Sequence, residues 1–284
     1  MRLVGGTVYA LQVPFVESFR HSAGARVWSD SVVVRVEDEA GTEGFGEGVP
    51  RPYVTGETVE VMLEYLGHHL WPNVADRELP GTWDETDLTA IDALILEKPI
   101  PGVVADHASR AALGLAMIDC VLRRQRMAIG RLLPPRRRHV VYSGVITAGT
   151  LNKALQHARQ MKLIGLEQVK VKVGFGDDVA RIRAVRDVLG PEVSLRVDAN
   201  GAWTVERAVA VLNAVAPLDI AAVEQPLPRG RVTELKRLRE ASPVPVMVDE
   251  SLVTLADAEA LIAEQAADYF NVRVSKCGGL TRTN

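Results

Sequence analysis

Five charged residues recur at nearly constant spacing through the second half of the chain. Lys172, Asp198, Glu224, Asp249 and Lys276 are separated by 26, 26, 25 and 27 residues, and they lie in the short runs "VKVKVG", "SLRVDAN", "AAVEQP", "VMVDES" and "VRVSKCGG". Apolar, β-branched runs of this kind read as strands, with alternate side chains on opposite faces. The stretches between them, "DDVARIRAVRDVLG", "TVERAVAVLNAV", "VTELKRLREA" and "TLADAEALIAEQ", carry apolar residues at helical spacing. One strand-plus-helix unit therefore separates each charged residue from the next. All five are expected at one level, on the C-terminal rim of a parallel sheet, where α/β barrels build their active sites.

Three acids converging at such a rim would repel one another without a cation among them. Oxygen donors with no His or Cys nearby favour Mg²⁺, with Mn²⁺ as the substitute, over zinc. The alternative is that each acid pairs with a neighbouring lysine or arginine. The lysines flank the trio in sequence. A lysine shielded from water beside a second cation loses affinity for its proton and can act as a base near neutral pH. Lys170, two residues before Lys172 and on the same face of its strand, is placed to be that second cation. A metal with bases on either flank suits removal of a weakly acidic proton beside a carboxylate, the metal neutralising the dianionic enolate. If one lysine takes the proton and the other returns one to the opposite face, the outcome is racemisation or epimerisation. A leaving group on the next carbon would turn the same chemistry into elimination or ring closure.

The elements that must position these residues read in two blocks. Residues 131–284 hold six short apolar strands alternating with helices, which predicts a (β/α) TIM-type barrel with about six units present. No glycine-rich phosphate loop follows the first strand, which counts against a doubly wound sheet. Residues 1–130 read as an α+β domain. Its strands are "LVGGTVYALQV", "DSVVVRVED" and "EGFGEG"; its helices are "TGETVEVMLEYLGHHL", capped by Thr55, and "DHASRAALGLAMIDCVLRRQ", capped by Asp106. The segment "PFVESFRHSAGARVW", with Phe19, Arg20, His21 and Ser22, reads as a long loop, suited equally to a substrate lid and to an irregular surface connection.

Composition narrows the setting. A net charge of −3 over 284 residues gives no electrostatic case for nucleic acid, and "PPRRRH" reads as a solvated linker. No apolar run is long enough to span a bilayer, and no signal peptide opens the sequence. Cys120 and Cys277 lie in apolar contexts and are expected as buried thiols of a reducing, cytoplasmic compartment. The expected partner is a small carboxylate substrate, with neither nucleic acid nor membrane, and a homo-oligomer is expected.

Together, "VKVKVG", "RVDANGAW", "AVEQPL", "VMVDES" and "VSKCGGL" resemble the enolase superfamily, in its muconate lactonizing subgroup with a Lys-x-Lys motif and a later lysine. A lysine base working with Mg²⁺ is the general pattern of that superfamily. The resemblance implies a barrel with an N-terminal capping domain, Asp198, Glu224 and Asp249 as metal ligands, and Lys172 and Lys276 as opposed acid/base groups with Lys170 auxiliary. It further implies that Asn200 and Glu250 support the metal and that Phe19 to Gly24 form a mobile capping loop. Dipeptide epimerases and amino-acid racemases match best; muconate cycloisomerases and succinylbenzoate synthases share the same set. The family barrel has further strands after the sixth, so the sequence reads as an interrupted chain of a longer protein, with a short variant closed by a partner chain or an inactive remnant as the alternatives. A class I aldolase is disfavoured, because it needs no three acids in register.

Overall fold

The computed structural model describes the chain except residues 22, 23, 80–86, 96–99, 148 and 284, and leaves aside the side chains of 17–25 and 87. By contacts the chain divides into two compact units. The first comprises Met1–Pro14, Trp28–Arg138 and Val272–Asn284; the second comprises Phe15–Val27 and His139–Asn271. The expected boundary after residue 130 thus differs from the contact division, which carries the first unit to Arg138 and adds the closing segment to it.

The antiparallel sheet has the order β1 (Leu3–His21), β2 (Gly24–Asp38) and β3 (Glu43–Gly48), with β2 and β3 in register from Val32↔Gly48 to Glu37↔Glu43. The expected lid loop is corrected here. β1 and β2 run on through Phe15–His21 and Gly24–Trp28 as extended backbone, because "VPFV" and "ARVW" continue a β-rich pattern that proline tolerates at a sheet edge. Ser22 lies outside the described residues, as do the side chains of Phe19, Arg20 and His21.

The helices of the first unit are α1 (Val59–Tyr65), α2 (Trp71–Val74), α3 (Asp87–Leu94) and α4 (His107–Arg124). α4 lies directly on β3. Gly44, Gly46 and Gly48 share one face of the strand, and a Cβ on any of them would collide with main-chain atoms at Ala116, Ala112 and Ala108 in turn. Alternate glycines on a strand thus meet small residues one helical turn apart, and backbone packs on backbone. Two expected caps are also corrected. Thr58, not Thr55, caps α1 by accepting from Val61 N at 3.2 Å, while Thr55 Oγ1 accepts from Glu57 N. Asp106 stands at the start of α4, but its carboxylate accepts from Tyr65 Oη at 3.0 Å and makes no capping bond. Glu57 caps α4 instead. It is fully buried and accepts from Ala108 N at 2.8 Å, Ser109 N at 2.9 Å and Ser109 Oγ at 2.7 Å.

In the second unit, β4 (Ser143–Ile146), β5 (Gln168–Lys172), β6 (Ser194–Asp198), β7 (Ile220–Glu224), β8 (Val246–Val248) and β9 (Tyr269–Phe270) form one parallel sheet in chain order. Helices α5 (Leu151–Leu163), α6 (Asp178–Leu189), α7 (Val205–Val215), α8 (Val232–Ala241) and α9 (Leu255–Ala263) follow the first five strands. Val169, Val171, Leu195, Val197, Val223, Val246 and Val248 are buried in one core with these helices, and each contributes about 1.5–3 kcal/mol. Lys170, Lys172, Arg196, Asp198, Ala222 and Glu224 occupy the alternate positions and so share the other face. Thr150, Thr204 and Thr254 cap α5, α7 and α9, the last in a reciprocal pair with Asp257. Among the described residues no helix is long and apolar enough to cross a membrane.

Candidate active site

Lys172, Asp198 and Glu224 form one row across β5, β6 and β7, since Lys172 pairs with Asp198 and Asp198 with Glu224 in the sheet register. The row does not continue level, as constant sequence spacing had suggested. Glu224 pairs with Met247, so Asp249 lies two positions further along β8, just past its end. Neighbouring strands of a tilted parallel sheet are staggered, so equal repeat length does not mean equal height.

Lys276 departs further. β9 ends at Phe270, and Arg273–Gly279 is a turn in which Cys277 N donates to Arg273 O and Gly279 N to Val274 O, each at 2.9 Å. The alternation of "VRVS" imitates a strand, but Gly278 and Gly279, with φ of +91° and +110°, let the chain fold back. Lys276 belongs by contacts to the first unit. It is buried there, with its carbonyl 2.8 Å from His107 Nδ1. Cys277 is half-buried rather than buried; Cys120 is buried, and both are free thiols.

On the row itself, charge is closely balanced. Lys172 Nζ lies 2.7 Å from Asp198 Oδ2 and also donates to Asn200 Oδ1. Lys170 Nζ bridges Asp198 Oδ2 at 3.0 Å and Glu224 Oε1 at 2.9 Å. Burial alone would lower the Lys170 pKa, but the Asp198 and Glu224 charges outweigh it and hold the ammonium above its usual range. Lys170 is therefore a fixed cation. Asp198 mirrors it: burial would raise its pKa, while Lys170 and Lys172 together hold it below the ordinary carboxylate value. Glu250 is pushed up, first by burial and then by the charges of Asp249 and Asp198, against a 2.9 Å hydrogen bond from Asn200 Nδ2. Asn200 thus ties Lys172 to Glu250, and its own N–H donates to Asp198 Oδ1 at 3.0 Å.

Among the described residues no three His, Cys, Asp or Glu side chains stand together as a ready cation cage, and Lys170 lies between Asp198 and Glu224 instead. The donor set nevertheless fits a hard divalent cation. Glu224 Oε2 and Glu250 Oε2 are buried and make no hydrogen bond among the described residues, although Arg196 Nε lies 3.2 Å from Glu224 Oε2 out of bonding alignment. A buried carboxylate oxygen that accepts no hydrogen bond, as at Glu250 Oε2, is costly and matches the oxygen chemistry of Mg²⁺.

Sequence reasoning missed several supporting residues. Arg196 stands two positions before Asp198, as Lys170 does before Lys172, so period-two counting would have found it. Asn271 Nδ2 donates to Glu224 Oε1 at 3.0 Å, and only its place just after β9 hinted at this. Asp178, at the start of α6, is 2% exposed. It accepts from Gly174 N at 2.7 Å, Phe175 N at 3.2 Å and Trp203 Nε1 at 3.0 Å.

Comparison with known proteins places this geometry. Residues 153–284 match the family model described as Enolase C-terminal domain-like. The chain is 31% identical to D-Ala-D/L-Ala epimerase of Cytophaga hutchinsonii over 277 residues, covering 96% of this chain and 72% of the relative. The crystal structure of a dipeptide epimerase from Cytophaga hutchinsonii, complexed with Mg and D-Ala-L-Val, superposes with a TM-score of 0.87 at 29% identity; the match covers 100% of this chain and 75% of that one. That of 2-chloromuconate cycloisomerase from Rhodococcus opacus gives 0.88 at 27% identity, covering 100% and 76%. Fold and site define an α/β-barrel enzyme of the isomerase class with an N-terminal antiparallel sheet. The charged strand ends carry the subgroup's Lys-x-Lys pattern. The chain belongs to the enolase superfamily, in its muconate lactonizing enzyme subgroup.

Proposed function

We propose that this chain moves the α-proton of a carboxylate substrate, as an epimerase or racemase of dipeptides or amino acids. Asp198, Glu224 and Asp249 are the residues that would hold Mg²⁺, with Mn²⁺ as the substitute. The bound ion would supply positive charge against the substrate carboxylate as electron density moves onto it.

The chain's own groups do the rest. Lys172 Nζ is the proton carrier on one face: it ends a rigid strand, is 6% exposed, and is aimed by Asp198 and Asn200. Lys170, held charged by the two acids it bridges, keeps their negative charge in check without itself exchanging protons. Motif order assigns Lys276 as the second carrier. The single observation that carries this reading is the 2.7 Å contact of a buried lysine with a buried aspartate, in a cluster where Glu250 Oε2 is buried and makes no hydrogen bond among the described residues.

The test is solvent exchange. In D₂O with MgCl₂ and a panel of Ala-containing dipeptides, the substrate α-proton should wash out, and Lys172→Ala should abolish the exchange. Wild-type protein that exchanges no member of the panel refutes the reading. Turnover of a muconate without α-proton exchange would instead favour the cycloisomerase chemistry named for the Rhodococcus relative.

A further inference from the structure

Gln225 directly follows Glu224, and it is 1% exposed. Its side-chain amide uses every hydrogen-bonding position it has. Oε1 accepts from Asp249 N at 2.9 Å and from Ser251 N at 3.0 Å. Nε2 donates to Leu227 O and to Ser251 Oγ, each at 2.7 Å. An amide has two acceptor lone pairs and two donors. The orientation is therefore fixed, because turning it over would set the NH₂ group against two N–H donors.

The main chain adds two further ties. Gln225 N donates to Met247 O at 2.8 Å, and Gly201 N donates to Gln225 O at 2.7 Å. The residue sits at φ +38°, a region that a side chain with a Cβ occupies only when its surroundings over-determine it. One residue thus connects the segments that follow β6, β7 and β8. Those segments carry Asp198, Glu224 and Asp249. The side chain links the β7 end directly to the main chain of Asp249.

We propose that Gln225 is a positioning residue that sets where the Asp249 carboxylate stands relative to Glu224, and thereby the affinity for a divalent cation. This rests on the assignment of the three acids proposed above. Loss of a group that orients a metal ligand typically weakens metal affinity by about 10- to 100-fold. Gln225→Met keeps the length of the side chain, removes its four hydrogen bonds and leaves both main-chain ties in place.

The experiment is a calorimetric titration of the whole chain with MgCl₂, together with thermal melting in EDTA. Wild-type protein should show one saturable site, and Gln225→Met a Kd weaker by tenfold or more. Leu261→Ala, which opens the core of the same unit under α9, should lower the melting temperature and leave Kd within twofold. An unchanged Kd in Gln225→Met overturns the inference, as does an equal loss of affinity in Leu261→Ala. Should Gln225→Met fail to fold, Ser251→Ala removes one Nε2 partner and should weaken Mg²⁺ threefold or more; wild-type affinity there overturns it equally. A wild-type chain with no saturable Mg²⁺ site refutes the metal assignment itself, a result separable from any variant effect.

Discussion

Removing the Glu57 carboxylate should unseat the start of α4. The carboxylate is fully buried and receives two main-chain N–H groups and one hydroxyl, all within 2.9 Å. Burial pushes its pKa up, and the bonds from Ser109 and Ala108 pull against that shift. In Glu57→Ala the Ser109 hydroxyl can turn elsewhere, but the N–H groups of Ala108 and Ser109 stay buried where they are. Each such orphan costs about 1–3 kcal/mol, so the pair costs about 2–6 kcal/mol. The variant also loses a negative charge at a helix N-terminus, a further contribution of about 0.3–1 kcal/mol. Set against a whole-domain stability of about 5–15 kcal/mol, the change is severe. At roughly 3 °C per kcal/mol, melting should fall by roughly 6–20 °C. Urea denaturation followed by circular dichroism measures this directly. Glu57→Gln retains one acceptor oxygen and should lose about half as much as Glu57→Ala. A Glu57→Ala variant within about 0.5 kcal/mol of wild type, the range of a neutral surface substitution, would show that the carboxylate does not hold the helix.

Two further outcomes follow from the first unit. Gly46→Ala puts a methyl group into the Ala112 carbonyl and the Ala116 N–H; main chain cannot step aside, so the loss should reach or exceed the about 1–3 kcal/mol of ordinary overpacking, read as a lower urea midpoint. Asp38 gives an acid dependence: burial would raise its pKa, but the Arg124 guanidinium at 2.6 Å and the N–H groups of Thr42 and Ala40 hold it below the ordinary value. The folded form therefore binds this proton less tightly than the unfolded chain, so the stability it contributes is complete above the unfolded pKa and lost as pH falls through the folded one. Asp38→Asn should flatten the acid limb of a stability–pH curve; an unchanged limb would refute that assignment.

The parallel sheet was legible because each strand announces itself locally, by β-branched residues at period two and a turn before the next helix. The threonines before α5, α7 and α9 were legible for the same reason, since a cap and its helix are adjacent in sequence. What escaped depended on distant partners. Glu57 lies about fifty residues before the helix it caps, and nothing near it in sequence separates it from a solvated acid. Lys276 was misplaced because "VRVS" alternates like a strand, whereas the following glycine pair decides the conformation. The segment 14–28 reads as a loop because proline and small residues are turn signals, whereas β1 and β2 extend into it from either side. At the site, residue types were readable and heights were not, because stagger between strands leaves no mark on the spacing.

Asp178 holds the Gly174–Phe175 backbone with one oxygen and the Trp203 indole with the other. The segment leaving Lys172 and the segment leaving Asp198 are thus fastened to a single carboxylate. They cannot be displaced independently without breaking a buried bond. Any rearrangement that draws one of these rim segments inward must carry its neighbour with it, so the two behave as one moving part where the chain alone would allow two.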